Sequence, residues 1–126
     1  KNAPVYPVVS CNPAPAFMLE SAAPQLCFAN AGVQVLGAEG RYHYVLGSAA
    51  SSGIPIPFDH AWIYDTEKDC YYDPTWESAL DDHKGAYEVH LVLSREQLAD
   101  YLESSGGLPP ASLWEYEAKL RLEGVE

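Results

Sequence analysis

The chain has 126 residues, with 7 Lys and Arg against 18 Asp and Glu, a formal net charge of −11. That length suits one domain, and that charge excludes binding by neutralising phosphates or by docking on an anionic bilayer. At 48% hydrophobic and 20% charged residues the chain is too apolar for a disordered acidic tail. No apolar run approaches the ~20 residues of a membrane span, and no signal-peptide pattern is read at Lys1.

Residues 1–24 hold Pro4, Pro7, Pro13, Pro15 and Pro24. They read as an extended Pro-rich N-terminal arm with a short helical turn near Phe17–Ser21, placed to wrap the domain or to meet a partner. Residues 25–126 read as a single domain. Residues 25–36 are apolar on most sides and predict a buried helix, with Pro24 at its start and Gly37 at its stop. Cys27 then falls in the first turn.

Residues 41–50 are rich in strand formers. Ser51–Gly53 make a loop and Ile54–Pro57 an extended lead-in. His60–Asp65, the turn Thr66–Asp69 and Cys70–Asp73 complete a β-meander, which Pro74 ends. Residues 77–85 read as loop and Tyr87–Leu93 as a further strand. Ser94-x-x-Gln97 and Ser112-x-x-Glu115 are capping boxes, and each opens a short C-terminal helix with apolar residues at helical spacing. The expected class is therefore α+β: a Cys-bearing helix on a small antiparallel sheet of about four strands, plus two short C-terminal helices.

The charge is unevenly spread. Residues 1–64 are nearly neutral, while Asp65 to Glu126 carry almost all of the negative excess. Most of that half reads as a solvated acidic surface, which would favour a neutral or basic partner over an anionic one. The cysteines, Cys11, Cys27 and Cys70, are odd in number and form no C-x-x-C pair, so no structural zinc or other metal site is expected. Three free thiols in a reducing compartment is the simplest reading, with one disulfide plus one free thiol as the alternative.

Four side chains are candidates for chemistry: Cys27, His60, Asp65 and Asp73. At a helix N-terminus, Cys27 would have unpaired N–H groups around it that favour a thiolate and can bind an oxyanion. The period of two puts His60, Trp62 and Tyr64 on one strand face, where His60 can act as the base. Pairing about the Thr66–Asp69 turn brings His60 near residues 74–76, and a one-residue bulge or slip would set Asp73 beside it. Asp65 points to the other face and ranks below Asp73.

Taken in order, Cys27 on its helix, Tyr44-Val45-Leu46-Gly47, His60-Ala61-Trp62 and Asp73-Pro74-Thr75 resemble the transglutaminase-like superfamily, which has a papain-like core. The match spans residues 25–76, and the Cys-Phe-Ala-Asn-Ala variant looks like that of small bacterial and phage-encoded members. The resemblance implies Cys27 as nucleophile, His60 as base and acid, and Asp73 as the residue orienting the histidine. It implies Trp62 packed near the site, with Gln25 and Asn30 as candidates for the oxyanion hole. Asn30 has a second reading, tying the helix to a strand. Tyr44 and Trp76 are candidates for the cleft wall.

The function expected from these residues is a cysteine-dependent hydrolase or acyltransferase on an amide or peptide bond of a protein or peptide. It needs no cofactor and proceeds through a thioester. A non-catalytic interaction module, such as a phage-encoded inhibitor or assembly factor working through the arm or the acidic half, is the alternative. The expected location is the cytoplasm of a bacterial or phage-infected cell.

Overall fold

Alternating side chains build a four-stranded antiparallel sheet in the computed structural model of the chain, which describes residues 14–22, 26–51, 54–79 and 85–122. The strands are β1 (Tyr42–Ser51), β2 (Ile54–Asp65), β3 (Cys70–Tyr72) and β4 (Gly85–Leu93), in the order β3-β2-β1-β4. The helices are α1 (Ala16–Ser21), α2 (Cys27–Gly37), α3 (Pro74–Ala79), α4 (Arg95–Ser105) and α5 (Leu113–Leu122). The class is α+β.

The strands' period of two separates two apolar layers. On one face Tyr42, Tyr44, Leu46, Ala61, Ile63 and Leu93 meet Met18 of α1, Ala31 and Val35 of α2, and Leu98 of α4. On the other face Val45, Trp62 and Val89 form a second cluster, edged by Tyr64, Tyr71 and Tyr87. His60 pairs with Gly47 and Trp62 with Val45, so the histidine belongs to this second face.

Some boundaries differ from the sequence reading. β2 begins at Ile54 despite Pro55 and Pro57. β3 pairs only with residues 63–65 of β2, so the first half of β2 is an edge on that side, where proline costs no ladder bond. Residues 74–79, partly read as loop, form α3. Asp73 caps this helix and Pro74 opens it, where a missing N–H is harmless. Within residues 14–22, read as arm, α1 forms where the helical turn near Phe17–Ser21 was expected; its Met18 is wholly buried, and the Ala14 N–H donates to Glu77 Oε1 at 2.8 Å. Residues 1–13 lie outside the described residues.

The first C-terminal capping box forms in full. Gln97 N–H donates to Ser94 Oγ, and Ser94 N–H donates to Gln97 Oε1. Gly106 ends that helix at φ 77°, a left-handed conformation that suits glycine. The second box forms by half. Glu115 N–H donates to Ser112 Oγ, while the Glu115 carboxylate takes the Ala111 N–H instead.

Cys70 is disulfide-bonded and Cys27 is free; Cys11 lies outside the described residues. The expectation of three free thiols is therefore corrected, and with it goes the premise for a reducing compartment. Among the described residues no helix is long and apolar enough to cross a membrane.

Candidate active site

Cys27 is the first residue of α2, two residues nearer the helix start than a continuous 25–36 segment would place it. Leu26 stands at the N-cap position, and among the described residues no side chain caps the helix. The first helical hydrogen bond runs from Asn30 N–H to Leu26 O at 2.8 Å. The earlier N–H groups of α2, those around Cys27, thus have no intrahelical acceptor and leave partial positive charge at the helix end where Cys27 sits.

His60 is 1% exposed on β2. Its Nε2 lies 2.8 Å from Asp73 Oδ2. Tyr87 O–H donates to the same oxygen at 2.6 Å. An ionised carboxylate accepts from both, so Nε2 carries a proton and Nδ1 is the nitrogen left for the thiol. Nδ1 has no hydrogen-bond partner of good geometry among the described residues. The Cys27 sulfur is nonetheless near enough to act on the ring. Burial disfavours the imidazolium, but the bonds to Asp73 and Cys27 outweigh it and raise the His60 pKa to about 9. The imidazole therefore favours its protonated form, which leaves a positive charge beside Cys27.

Asp73 reaches His60 without the bulge that strand pairing alone required. The β2–β3 register is regular, with Asp65 opposite Cys70 and Ile63 opposite Tyr72. Beyond Tyr72 the chain turns into α3 rather than continuing as strand. Asp73 becomes the N-cap, and its Oδ1 accepts the Trp76 N–H at 3.2 Å. One carboxylate oxygen therefore holds the helix while the other holds the imidazole. The Asp73 N–H donates to Glu77 Oε2 at 3.0 Å, which fixes the backbone as well.

Aromatic rings surround the histidine. Trp76 stacks on it with centroids 4.3 Å apart and planes 27° apart. Trp62 lies 6.0 Å away at 25°, and Phe58 approaches edge-on at 6.0 Å. Trp76 is nearly buried, so it covers the imidazole rather than forming an open wall. Trp62 is wholly buried, and its Nε1 has no hydrogen-bond partner among the described residues. The Gly47 of the Tyr-Val-Leu-Gly segment allows this packing. A Cβ there would overlap the Glu88 carbonyl oxygen and lie 3.0 Å from Trp62 Cη2, at the bulge between β1 and β4.

The other candidates separate clearly. Asn30 Nδ2 donates to Thr75 Oγ1 at 2.8 Å, so it ties α2 to α3, a helix and not the strand foreseen. That bond docks the helix bearing Cys27 against the segment bearing Asp73. Tyr44 is wholly buried and donates to Pro110 O at 2.8 Å, which makes it a core residue and not a cleft wall. Burial, with Cys27 adding, raises its pKa and keeps it protonated. Asp65 is taken up by structure. It accepts from Arg41 Nε and Nη2 at 3.1 and 2.9 Å and from Tyr72 O–H at 2.7 Å. Gln25 lies outside the described residues. Among the described residues no group of three or more His, Cys, Asp or Glu side chains is arranged to hold a metal ion.

Tyr87 is the site residue that sequence reasoning missed. Its strand was foreseen, but nothing local said that β4 would pair with β1 and set Tyr87 opposite Ala49. No family model matches the chain, and comparison with curated proteins and with solved structures gives no match.

Proposed function

We propose that the chain is a cysteine-dependent hydrolase or acyltransferase acting on an amide or peptide bond through Cys27, His60 and Asp73, on a transglutaminase-like core. The observation that carries this reading is the buried His60, bonded to Asp73 at 2.8 Å through Nε2 while its other side is acted on by the thiol of Cys27. The Cys27 thiolate attacks the carbonyl carbon, forming a C–S bond and moving the π electrons onto oxygen. The N–H groups of the first turn of α2 stabilise that oxyanion. As the C–N bond breaks, the His60 imidazolium protonates the departing amine, leaving a thioester. His60 then removes a proton from water or an acceptor amine, which attacks the thioester and releases Cys27. Asp73 keeps the ring oriented and stabilises its charged form.

The acceptor is water for hydrolysis and an amine for acyl transfer. The negative excess beyond residue 64 supports a neutral or basic protein or peptide as substrate. The test is mass-spectrometric mapping of iodoacetamide labelling at pH 6 without reductant, together with amidase assays on model amides and peptides. Cys27 should be labelled far faster than an ordinary thiol, and Cys27→Ala should abolish turnover. Slow labelling of Cys27, or amidase activity that survives its removal, would point instead to a non-catalytic interaction module.

A further inference from the structure

We propose that Tyr87 is a positioning residue that sets the acidity of the His60 imidazolium by sharing Asp73 Oδ2 with it. Tyr87 O–H reaches that oxygen at 2.6 Å and His60 Nε2 reaches it at 2.8 Å. Two donors on one oxygen compete for the same negative charge. Each weakens the hold of the other, so the phenol draws off part of the charge that stabilises the imidazolium.

The phenol can play this part at any working pH. Burial, then the neighbouring Asp73 charge, raises the Tyr87 pKa and keeps its proton in place. Its ring is held independently by Trp62, with centroids 4.7 Å apart, and by the pairing of β4 with β1. Asp73 does not need Tyr87 for its orientation. Its Oδ1 is held by the Trp76 N–H and its own N–H by Glu77. What Tyr87 adds is therefore electronic. The titratable groups facing His60 are Asp73 at the start of α3, Cys27 from α2 and Tyr87 from β4, with Glu77 of α3 behind Asp73.

The consequence for catalysis rests on the function proposed above; the measurement does not. An imidazolium with a lower pKa gives its Nδ1 proton more readily to a departing amine. The experiment is an NMR titration of the His60 Cε1–H signal between pH 6 and 10.5, assigned by its loss in His60→Gln. In Tyr87→Phe the His60 pKa should rise by roughly 0.5–1 unit, a three- to tenfold change in proton affinity. Difluorotyrosine at position 87 keeps the ring and strengthens the donor, and should move the pKa down. It also carries the test if Tyr87→Phe does not fold. An unchanged His60 pKa, or shifts of the reverse sign, overturns the proposal. If the pKa moves as expected while Cys27 proves inert to electrophiles, the Tyr87 inference stands and the enzymatic reading fails.

Discussion

Replacing Asp73 by Asn removes one charge at the centre of the site while preserving the fold. Asn is as good an N-cap as Asp, so the bond from the Trp76 N–H survives and α3 keeps its start. What changes is the partner of His60. Its pKa is raised from 6.5 to about 9, against a burial that alone would lower it, and Asp73 is the leading cause of the rise. That difference corresponds to about 3 kcal/mol in favour of the imidazolium. Without the carboxylate, burial is opposed by Cys27 alone and the pKa falls toward or below 6.5. At pH 7.5 the protonated fraction then drops from nearly all to about a tenth. The assay is the rate of Cys27 alkylation across pH 5–10, read by mass spectrometry. The parent chain's alkylation and amidase rates should both change as the pH rises through about 9, where His60 loses its proton, and the amidase activity should fall. Asp73→Asn, which lacks most of the imidazolium at that pH, should react about tenfold more slowly at pH 7.5. Coincident profiles from two folded proteins would refute the argument that Asp73 holds the proton on His60.

Two further perturbations test the scaffold. The carboxyl of Asp65 is raised by burial, but Arg41, Tyr72 and backbone N–H groups outweigh this and hold it at about 2. Its contribution is present above ~4 and is lost as pH falls through about 2, whereas that of His60 is present below ~6.5 and is lost as pH rises through about 9. Urea unfolding should therefore place maximal stability between ~4 and ~6.5, and Arg41→Met should lower stability at pH 7 and much less at pH 2. An equal loss at both pH values would contradict this. Gly47→Ala should lower stability by about 3 kcal/mol, because the new methyl meets a backbone carbonyl that cannot retreat. Gly37→Ala, which meets nothing within 4 Å, is the control and should leave the melting temperature unchanged or higher.

Much of the site was legible along the chain, for reasons specific to each residue. The stop at Gly37 and the apolar run before it announced a helix near Cys27. Alternation on β2 put His60 and Trp62 on one face and Asp65 on the other. The capping box at Ser94 marked the start of α4 within one residue. Asp73 does lie beside His60, but by another geometry than the one foreseen. Strand pairing was extrapolated past Tyr72, whereas Asp-Pro at that point starts a helix and swings the carboxylate inward as a cap. Tyr44 and Trp76 were both read as wall, and burial instead makes one a core anchor and the other a cover for the imidazole.

Local pattern by itself determined the α+β class, the faces of the strands and the nearness of Cys27 to a helix N-terminus, because each depends on spacing within a few residues. Only tertiary structure decided which distant groups share an oxygen or a bond. The crossover through α3 returns β4 to the far edge beside β1 and delivers Tyr87 to Asp73. The contact between α2 and α3 turns Asn30 from an oxyanion candidate into a tie to Thr75. The disulfide at Cys70 leaves Cys27 as the free thiol among the described residues. Such pairings join residues tens of positions apart, and their free energy comes from closing long loops onto packed surfaces, a balance that no short window of sequence contains.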